Sequence, residues 1–403
     1  MGVYFWKLDS TARKQVNRLN DRMKILVNTI STKKHSGGAF QIAYNFLVKT
    51  VEHPEIDWIY VVSSDLNEIL PETVKKKDNF FIFPTQPDLK HSYKRVKKEL
   101  AELADRLKPD VVYSITAPSY FSFKAPEVMR YTNPTVAHPN KYCWKVLSMK
   151  GKLRLKAYSW IQKWLIRKAK FFVTQTETTK KGILRITGLP EKNVCVVKNV
   201  LPTVFASTET AHIDSGDNCI HIACIGAPVP HKNFDIIPDV LLHLKEKRIE
   251  NVCFHVTIPE GDIMMDKIDA KMIANGLDKS CVVNHGRMSQ KELADMYRHC
   301  TLCFLPTLLE VFSASTLEAM FFDLKIVATD FSFNTEVLDN AALYYEPMNA
   351  KDAAEKIAQL VSDKVLQAKL SEKMKVRLAL FDNYDNHFNA IRDFLVKVGE
   401  GKV

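Results

Sequence analysis

The sequence has little glycine and proline and contains no long apolar run. Its 403 residues include 13 glycines and 17 prolines, and 46% of them are hydrophobic, a composition that excludes a low-complexity or disordered chain. No apolar stretch reaches the roughly 18 residues that a membrane-spanning helix needs, and the first residues lack a signal-peptide pattern. At this length we expect two domains of roughly 200 residues each.

Cysteine pairs with the spacing of a metal or disulfide framework are also missing. The eight cysteines are scattered, and most fall within predicted strands, as small buried thiols do in a reducing compartment. Cys300 and Cys303 form a lone C-x-x-C without a second pair or a nearby ligand set, so no zinc or redox site is predicted there. The pattern favours a cytoplasmic protein.

Acidic residues are absent between Glu127 and Glu177, and residues 141–170 carry ten lysines and arginines interleaved with Trp and Leu. This pattern predicts an interfacial helix on an anionic membrane, peripheral to the inner face of the cytoplasmic membrane. An ordinary basic helix with one face toward the core is the plain alternative. A nucleic-acid surface is a third, but no binding motif accompanies it, and no nucleic-acid partner is predicted.

Charge is divided unevenly between the two halves of the chain. Residues 1–200 hold 36 lysines and arginines against 17 aspartates and glutamates, whereas residues 201–403 hold 21 against 29. The basic half should therefore face an anionic surface or an anionic acceptor, while the acidic half stays in solution.

Short apolar runs alternate with helical patterns in both halves, which predicts two α/β domains with parallel sheets. In the first half the predicted strands are residues 23–30, 58–63, 80–83, 110–115, 135–137, 171–175 and 194–200. In the second half they are residues 220–225, 252–258, 281–284, 302–305, 325–329 and 342–345. The polar segment 206–217 separates the two series. A glycine pair, Gly37 and Gly38, follows the first strand, but no G-x-G-x-x-G dinucleotide fingerprint is present.

Residues 302–330 combine two carboxylates with a predicted helix start. A strand ends at Pro306, and Glu310 lies in the following loop, seven intervening residues before Glu318. Loops at the carboxyl ends of parallel strands bind ligands, free N–H groups at a helix start favour a phosphate, and carboxylates accept hydrogen bonds from hydroxyls. A nucleotide sugar has both groups. The alternative is a capping box, in which Glu318 only returns to a backbone N–H near Ser315.

The wording E-V-F-S-A-S-T-L-E-A-M, residues 310–320, resembles the E-x7-E motif of the family 4 retaining glycosyltransferases. That family has the GT-B fold, in which two Rossmann-like doubly wound domains face each other across a cleft. The resemblance covers about residues 23–397. It implies a basic leader, an acceptor-side domain, a nucleotide-sugar-binding domain and a helix that crosses back onto the first domain, at residues 1–22, 23–202, 203–380 and 381–403.

The activity that the resemblance implies is transfer of a sugar, with retention, from a nucleotide donor to a hydroxyl of a glycan or lipid-linked acceptor. A UDP-sugar is favoured as donor, and cell-surface polysaccharide synthesis, such as that of lipopolysaccharide or capsule, as the setting. No D-x-D metal pair is present, so cations and helix dipoles are expected to replace a divalent ion, and no cofactor is predicted.

The resemblance also implies roles for individual residues. Glu310 would hold the donor sugar, and Glu318 the ribose hydroxyls. Lys232 would neutralise the donor phosphates, and His138 would line the reacting centre after the strand 135–137. The remaining donor-binding positions are Gly37, Gly38, Gly226, His231, Asn233, Gly286, Arg287, Val311, Phe312, Ser313, Ala314 and Ser315. The family usually has an arginine five residues before the lysine; Ala227 stands there, so either His231 or another cation compensates or phosphate binding is weaker than usual in the family.

Two other function classes fit parts of the pattern. A sugar-nucleotide epimerase can share the fold, but it would use cleft carboxylates in both domains and need no membrane surface. A non-catalytic protein that binds anionic polymers would explain the basic first half, yet it gives Glu310, Glu318 and Lys232 no role.

Overall fold

A computed structural model describes residues 22–34, 38–88, 91–202, 205, 208–381 and 383–403. They form two parallel sheets, one in each half of the chain, with strand orders β3-β2-β1-β4-β5-β6-β7 and β10-β9-β8-β11-β12-β13. The first sheet comprises β1 Lys24–Asn28, β2 Asp57–Ser63, β3 Phe80–Phe83, β4 Val111–Ser114, β5 Glu127–Arg130, β6 Phe171–Thr174 and β7 Val194–Val196. The second comprises β8 Ile220–Cys224, β9 Val252–Val256, β10 Val282–Asn284, β11 Leu302–Leu305, β12 Lys325–Thr329 and β13 Leu343–Tyr345.

Helices cover both faces of each sheet, which is why the strands read as continuous apolar runs rather than alternating ones. In the first half they are α1 Gly38–Lys49, α2 Ser64–Asn67, α3 Glu72–Lys75, α4 Tyr93–Leu107, α5 Pro134–Ala137, α6 Lys141–Lys145, α7 Met149–Ile166 and α8 Glu177–Thr187. In the second half they are α9 Ile237–Glu246, α10 Ile263–Ala274, α11 Gln290–His299, α12 Ala314–Phe321, α13 Ser332–Leu338, α14 Ala350–Ser362, α15 Lys364–Leu378 and α16 Tyr384–Gly399. The predicted fold class is confirmed.

The crossover of the last helix onto the first domain is also confirmed. In α16, Phe388, Ile391 and Leu395 are buried in the core of the first sheet, where the Phe388 ring lies 4.8 Å from that of Phe46. The His387 Nδ1 atom lies 2.8 Å from the Lys198 carbonyl oxygen. The domain boundaries given above stay predictions, and residues 1–21 of the predicted leader lie outside the described part of the chain.

One predicted strand is wrong. Residues 135–137 belong to the short helix α5, because Asn133 caps it by accepting a hydrogen bond from the Thr135 N–H and Pro134 occupies its first position. Asparagine at the cap and proline directly after it favour a helix start. The strand of this region is β5. It begins at Glu127 and ends at Arg130, and the two apolar residues between them are too few to be recognised as a strand from the sequence.

The strand orders place both ligand-binding edges of the molecule. In the first sheet the order reverses between β1 and β4, and in the second between β8 and β11. Open parallel sheets bind ligands outside the carboxyl ends of the strands at such points. The loops after β1, β8 and β11 therefore border the candidate site.

Contacts between the domains hold these edges face to face. The Glu336 carboxylate on α13 accepts hydrogen bonds from the Glu177 and Thr178 backbone N–H groups at 2.6 and 3.0 Å, at the start of α8. The Asn140 side chain donates to the Leu308 carbonyl oxygen at 2.7 Å. Across the described ranges, no helix has the length and apolar character required to cross a bilayer.

Candidate functional site

A cavity of about 870 Å³ lies between the carboxyl edges of the two sheets. The first domain lines it with Gly38, Ala39, Ile42, Arg130, Thr132, Gln175 and Asn199. The second domain contributes Gly226, Ala227, Lys232, Thr257, Arg287, Met288 and the run from Glu310 to Ser315, together with Glu318. The two carboxylates of the sequence motif thus reach one cavity, on the wall that the second domain provides.

Glu310 and Lys232 form an ion pair on this wall. The Lys232 Nζ atom lies 2.7 Å from the Glu310 Oε2 atom, and the two side chains are 11% and 22% exposed. Burial alone would raise the pKa of Glu310, but the Lys232 ammonium and the Val311 N–H bring it below its usual value. Glu310 is therefore ionised at neutral pH, and the charge of Lys232 is already compensated.

Glu318 occupies a different electrostatic environment. It is 6% exposed and accepts a hydrogen bond from the Tyr297 hydroxyl at 2.8 Å. Burial raises the pKa of Glu318 to about 7, and the Tyr297 hydrogen bond opposes this only in part. The capping-box alternative is wrong, because the N-cap of α12 is Ser313 and Glu318 bonds to a side chain of α11.

The start of α12 supplies backbone donors to the same cavity. Ser313, Ala314 and Ser315 line it; Ser313 makes no side-chain cap, and the first turn carries no acidic residue. Val311 and Phe312, which precede the helix, are 2% and 7% exposed and anchor the loop in the core. Uncapped N–H groups and the helix dipole together favour an anion at this end.

The loop after β8 brings Lys232 across Gly226. A Cβ atom at Gly226 would lie 3.4 Å from the Lys232 Cδ and Cε atoms, so the lysine stem passes directly beside this glycine. Ala227 lines the cavity, but His231 lines a separate one, so His231 is not placed to compensate for Ala227. Asn233 is 3% exposed with a left-handed φ of 58°; it shapes the loop and does not line the cavity.

Two further predicted regions reach the cavity only in part. After β10, Gly286 has a φ of 68° and redirects the chain so that Arg287 faces the cavity, although Gly286 does not line it. After β1, Gly38 opens α1 and lines the cavity, whereas Gly37 lies outside the described residues.

His138 lies between the domains but does not line the cavity. Its Nε2 atom is 3.4 Å from the Thr179 hydroxyl, and its ring centroid is 6.3 Å from that of Phe333 in the second domain. Burial lowers the pKa of His138 to about 4, so the imidazole is neutral at physiological pH. At this end of β5 the cavity is lined instead by Arg130, the last residue of the strand, and by Thr132.

Sequence reasoning predicted Gly38 on the first-domain wall and missed the rest of that wall. Arg130, Thr132 and Gln175 line the cavity because they stand at or just after the carboxyl ends of β5 and β6. The strand ending at Thr174 could have pointed to Gln175. Arg130 was hidden because β5 was not recognised. Nothing in the sequence pairs Tyr297 with Glu318, since 21 residues and a strand separate them.

A group of metal-ligating side chains lies elsewhere in the second domain. His221, Cys253 and His255 each offer a ligand atom within 4.8 Å of the others. The His221 and His255 imidazoles are 2.8 Å apart, as are those of His255 and His285. Burial and neighbouring histidines lower the pKa of His255 to about 4. The three histidines line a cavity other than the interdomain one.

We expect Glu318→Gln to remove a pH dependence of stability. The folded-state pKa of about 7 exceeds the unfolded value of about 4.3, so the folded state keeps its proton over this interval and loses stability as pH rises from about 4.3 to about 7. The full effect is about 4 kcal/mol, and about 3 kcal/mol of it falls between pH 5 and pH 8. In urea unfolding of the free protein, the wild type should lose about that much more stability than the variant between pH 5 and pH 8. Parallel pH profiles for the two proteins would contradict this.

Comparison with known proteins finds a family model that the second half of the chain resembles. Residues 211–377 match the family model described as glycosyl transferases group 1. The chain is 22% identical to the O-antigen chain mannosyltransferase RfbU of Salmonella typhimurium over 194 residues. The aligned region covers 48% of this chain and 52% of that protein. The chain thus spans about half the length of the curated relative it matches.

Solved structures share the fold along nearly the whole chain. The Anabaena protein Alr3699/HepE, in complex with UDP and glucose, is 15% identical with a TM-score of 0.65, covering 93% of this chain and 100% of that one. A glycosyltransferase from Rickettsia africae is 13% identical with a TM-score of 0.67, covering 94% and 99%. The lipopolysaccharide outer core galactosyltransferase WaaB is also 13% identical and has a TM-score of 0.60, covering 93% of this chain and 99% of that one. The GT-B fold is confirmed; family 4 and the E-x7-E motif stay predictions.

Proposed function

We propose that the protein is a retaining, metal-independent glycosyltransferase that transfers a sugar from a nucleotide sugar, a UDP-sugar by preference, to a glycan or lipid-linked acceptor. The single observation that carries the proposal is the wall of the interdomain cavity on which Lys232, Glu310, Glu318 and the start of α12 converge. The group 1 match of residues 211–377 covers this wall. Two similar proteins are a mannosyltransferase and a galactosyltransferase, and a third was solved with UDP bound; all three fit the same activity.

The chemistry requires the bond between the sugar and the diphosphate to break, so negative charge develops on the leaving group. Donors fixed in advance at the position of that charge stabilise the transition state most effectively. Lys232 supplies a cation and the start of α12 supplies backbone N–H groups, and both lie on the same wall. The residues present thus provide the stabilisation without requiring a divalent ion.

The two glutamates divide the recognition of hydroxyl groups. Glu310 is ionised and beside Lys232, so it is suited to accept hydrogen bonds from the transferred sugar near the diphosphate. Glu318 lies deeper, between α12 and Tyr297, and suits the ribose hydroxyls. His138 stays the predicted lining of the reacting centre, which it would reach only if the cleft rearranges on binding.

The distribution of carboxylates favours transfer over epimerisation. Among the described residues that line the cavity, the carboxylates are Glu310 and Glu318, both from the second domain. An epimerase that needs acidic groups on both sides of the cleft lacks the first-domain partner here. A non-catalytic protein that binds anionic polymers would not require two buried glutamates in an interdomain cavity.

Donor turnover tests the proposal directly. The protein is incubated with UDP-, GDP- and ADP-sugars and short saccharide acceptors, and release of the nucleoside diphosphate is measured. Proton NMR of any product then gives the anomeric configuration. We expect turnover of one nucleotide class, with retention. An inverted product would contradict the retaining mechanism, and no release from any donor would contradict the transferase proposal.

The membrane is the proposed location of the acceptor, on the cytoplasmic face of a cell membrane. On α7, Met149, Leu153, Trp160 and Trp164 are 73%, 66%, 72% and 52% exposed, and their spacing puts them on one face of the helix. An α-helix rotates by about 100° per residue. This rotation places Lys150 and Arg154 on one side of the apolar stripe and Lys152 and Lys156 on the other. The plain alternative, with the apolar face toward the core, does not account for this exposure.

A second cavity lies between α7 and the second domain. Its volume is about 430 Å³, and its lining combines Leu147, Leu155 and Tyr158 around α7 with Pro230, His231 and Leu309 of the second domain. The lining is largely apolar, which suits the lipid portion of a lipid-linked acceptor. This supports an acceptor that approaches from the side of α7.

We expect the double substitution Trp160→Glu and Trp164→Glu to reduce flotation with anionic liposomes at least about tenfold. Two interfacial aromatic anchors are lost, and two negative charges are placed against an anionic surface. The matched control replaces Val365 and Val376, which are 81% and 70% exposed on α15, by Glu and should float like the wild type. Undiminished flotation of the tryptophan variant would refute membrane docking through α7.

A further inference from the structure

Arg130 is a buried arginine at the edge of the interdomain cavity. It is the last residue of β5, at the carboxyl edge of the first sheet, and it is 2% exposed. It nevertheless lines the cavity, opposite the wall that carries Lys232 and Glu310. Arginine is rarely buried to this degree unless an anion accompanies it.

No such anion is found among the described residues. Neither an ion pair nor a side-chain hydrogen bond of the Arg130 guanidinium is present within the described ranges. Burial lowers the pKa of Arg130, and the groups that act against this are the Tyr113 and Tyr384 phenols rather than any carboxylate. Arginine remains charged in proteins, so the cavity wall carries an uncompensated positive charge.

Two polar neighbours of Arg130 also lack hydrogen-bond partners among the residues described. The Tyr113 and Tyr384 hydroxyls are buried, and neither has a hydrogen-bond partner in the described part of the chain. His387 faces the same guanidinium, and its pKa, lowered to about 4 mainly by burial and also by Arg130, leaves it neutral. A buried cation with unsatisfied polar neighbours costs several kcal/mol unless a ligand compensates it.

The opposite wall cannot supply the compensation. The Glu310 carboxylate already pairs with Lys232 at 2.7 Å, and Glu318 bonds to Tyr297. On the same side as Arg130, Gly38 opens α1 toward the cavity, and no acidic residue stands in the first turn of α1. The first-domain wall thus presents a buried guanidinium beside a helix start, an arrangement that suits a phosphate.

We propose that Arg130 binds a phosphate group in the cavity, so that the first domain as well as the second holds the anionic part of a substrate. The inference deepens the proposed function and rests on it for the nature of the substrate. Two sources have this chemistry: the diphosphate of the nucleotide sugar, and a phosphate carried by the acceptor. In either case the ligand bridges the domains and draws the cleft together.

The test measures binding of inorganic pyrophosphate, UDP, GDP and ADP by titration calorimetry to the wild type, to Arg130→Gln and to Arg392→Gln. Arg392 is the matched control, because its guanidinium pairs with Asp393 at 2.8 Å and does not line the cavity. We expect Arg130→Gln to weaken pyrophosphate binding about 30-fold, the loss of a bidentate charge-assisted contact. The control should bind as the wild type does.

The melting temperature of the free protein separates ligand binding from a structural role. Removing an unpaired buried charge should leave the melting temperature of Arg130→Gln unchanged or raise it, whereas a structural arginine would lower it by several degrees, which would overturn the proposal. If Arg130→Gln does not fold, pyrophosphate binding by Arg130→Lys tests the proposal instead. It keeps the charge without the bidentate geometry, so weakened pyrophosphate binding supports the proposal and unchanged binding overturns it.

The ligand series identifies the source. Weaker binding of both pyrophosphate and a nucleoside diphosphate assigns Arg130 to the donor, whereas weaker binding of pyrophosphate alone assigns it to a phosphate of the acceptor. Unchanged binding of all four ligands, or no binding of any by the wild type, overturns the proposal. Because pyrophosphate binding needs no turnover, a wild type that binds it through Arg130 but transfers no sugar would refute only the transferase.

Discussion

Replacement of Glu318 by alanine should weaken binding of the nucleotide that the wild type recognises about 100-fold. The buried carboxylate is positioned to accept two hydrogen bonds from ribose hydroxyls, each contributing about 1.5 kcal/mol because the acceptor is charged. The affinity of the wild type should also rise between pH 6 and pH 8, since the pKa of Glu318 is about 7 in the free protein and only the carboxylate accepts both bonds. Titration calorimetry at several pH values measures both effects.

Glu292→Ala is the control for this experiment. Glu292 closes a capping box at the start of α11 by accepting a hydrogen bond from the Ser289 N–H at 2.7 Å. Its loss should cost about 1 kcal/mol of stability and leave nucleotide affinity unchanged. If Glu318→Ala bound the nucleotide as the control does, Glu318 would be a structural residue and the ribose assignment would fail.

Replacement of Lys232 by methionine should lower kcat by a factor of about 10² to 10³. This is the usual loss when one fixed group that stabilises developing negative charge is removed. The substitution also leaves the buried Glu310 carboxylate without its cation, so its pKa should rise and the variant should lose activity further toward low pH. Steady-state kinetics with the turned-over donor, at pH 6 and pH 8, measure the fall and its pH dependence.

Lys271→Met provides the comparison for Lys232. Lys271 pairs with Asp239 at 3.1 Å in the same domain and does not line the cavity. It should keep wild-type kcat. Equal kcat values for Lys232→Met and Lys271→Met would show that Lys232 does not act on the leaving group.

The fold could be predicted from the sequence because its strands are buried on both faces. Runs such as residues 58–62 are apolar throughout, so local composition settles their type. The sequence pattern misleads at two places. β5 has charged ends, and residues 135–137 follow a local helix start, Asn133 and Pro134, although they resemble a strand.

The second-domain wall of the site was predictable, whereas on the first-domain wall only Gly38 was. Glu310 and Glu318 belong to one short loop and helix, so their spacing alone brings them together. The first-domain wall combines residues that are far apart in the sequence, such as Arg130, Gln175 and Gly38. Only the order of the strands in the sheet brings them together. The partners that set the chemistry, Tyr297 for Glu318 and Lys232 for Glu310, are distant in sequence.

The central claim is that the interdomain cavity binds a nucleotide sugar, and thermal unfolding with a panel of UDP-, GDP- and ADP-sugars tests it most directly. At about 100 times the dissociation constant, a bound donor stabilises the folded state by about 2.7 kcal/mol. We therefore expect one nucleotide class to raise the melting temperature of the wild type by about 5 °C, and Glu318→Ala to lose most of that shift. A wild type whose melting temperature none of these donors raises would contradict the account.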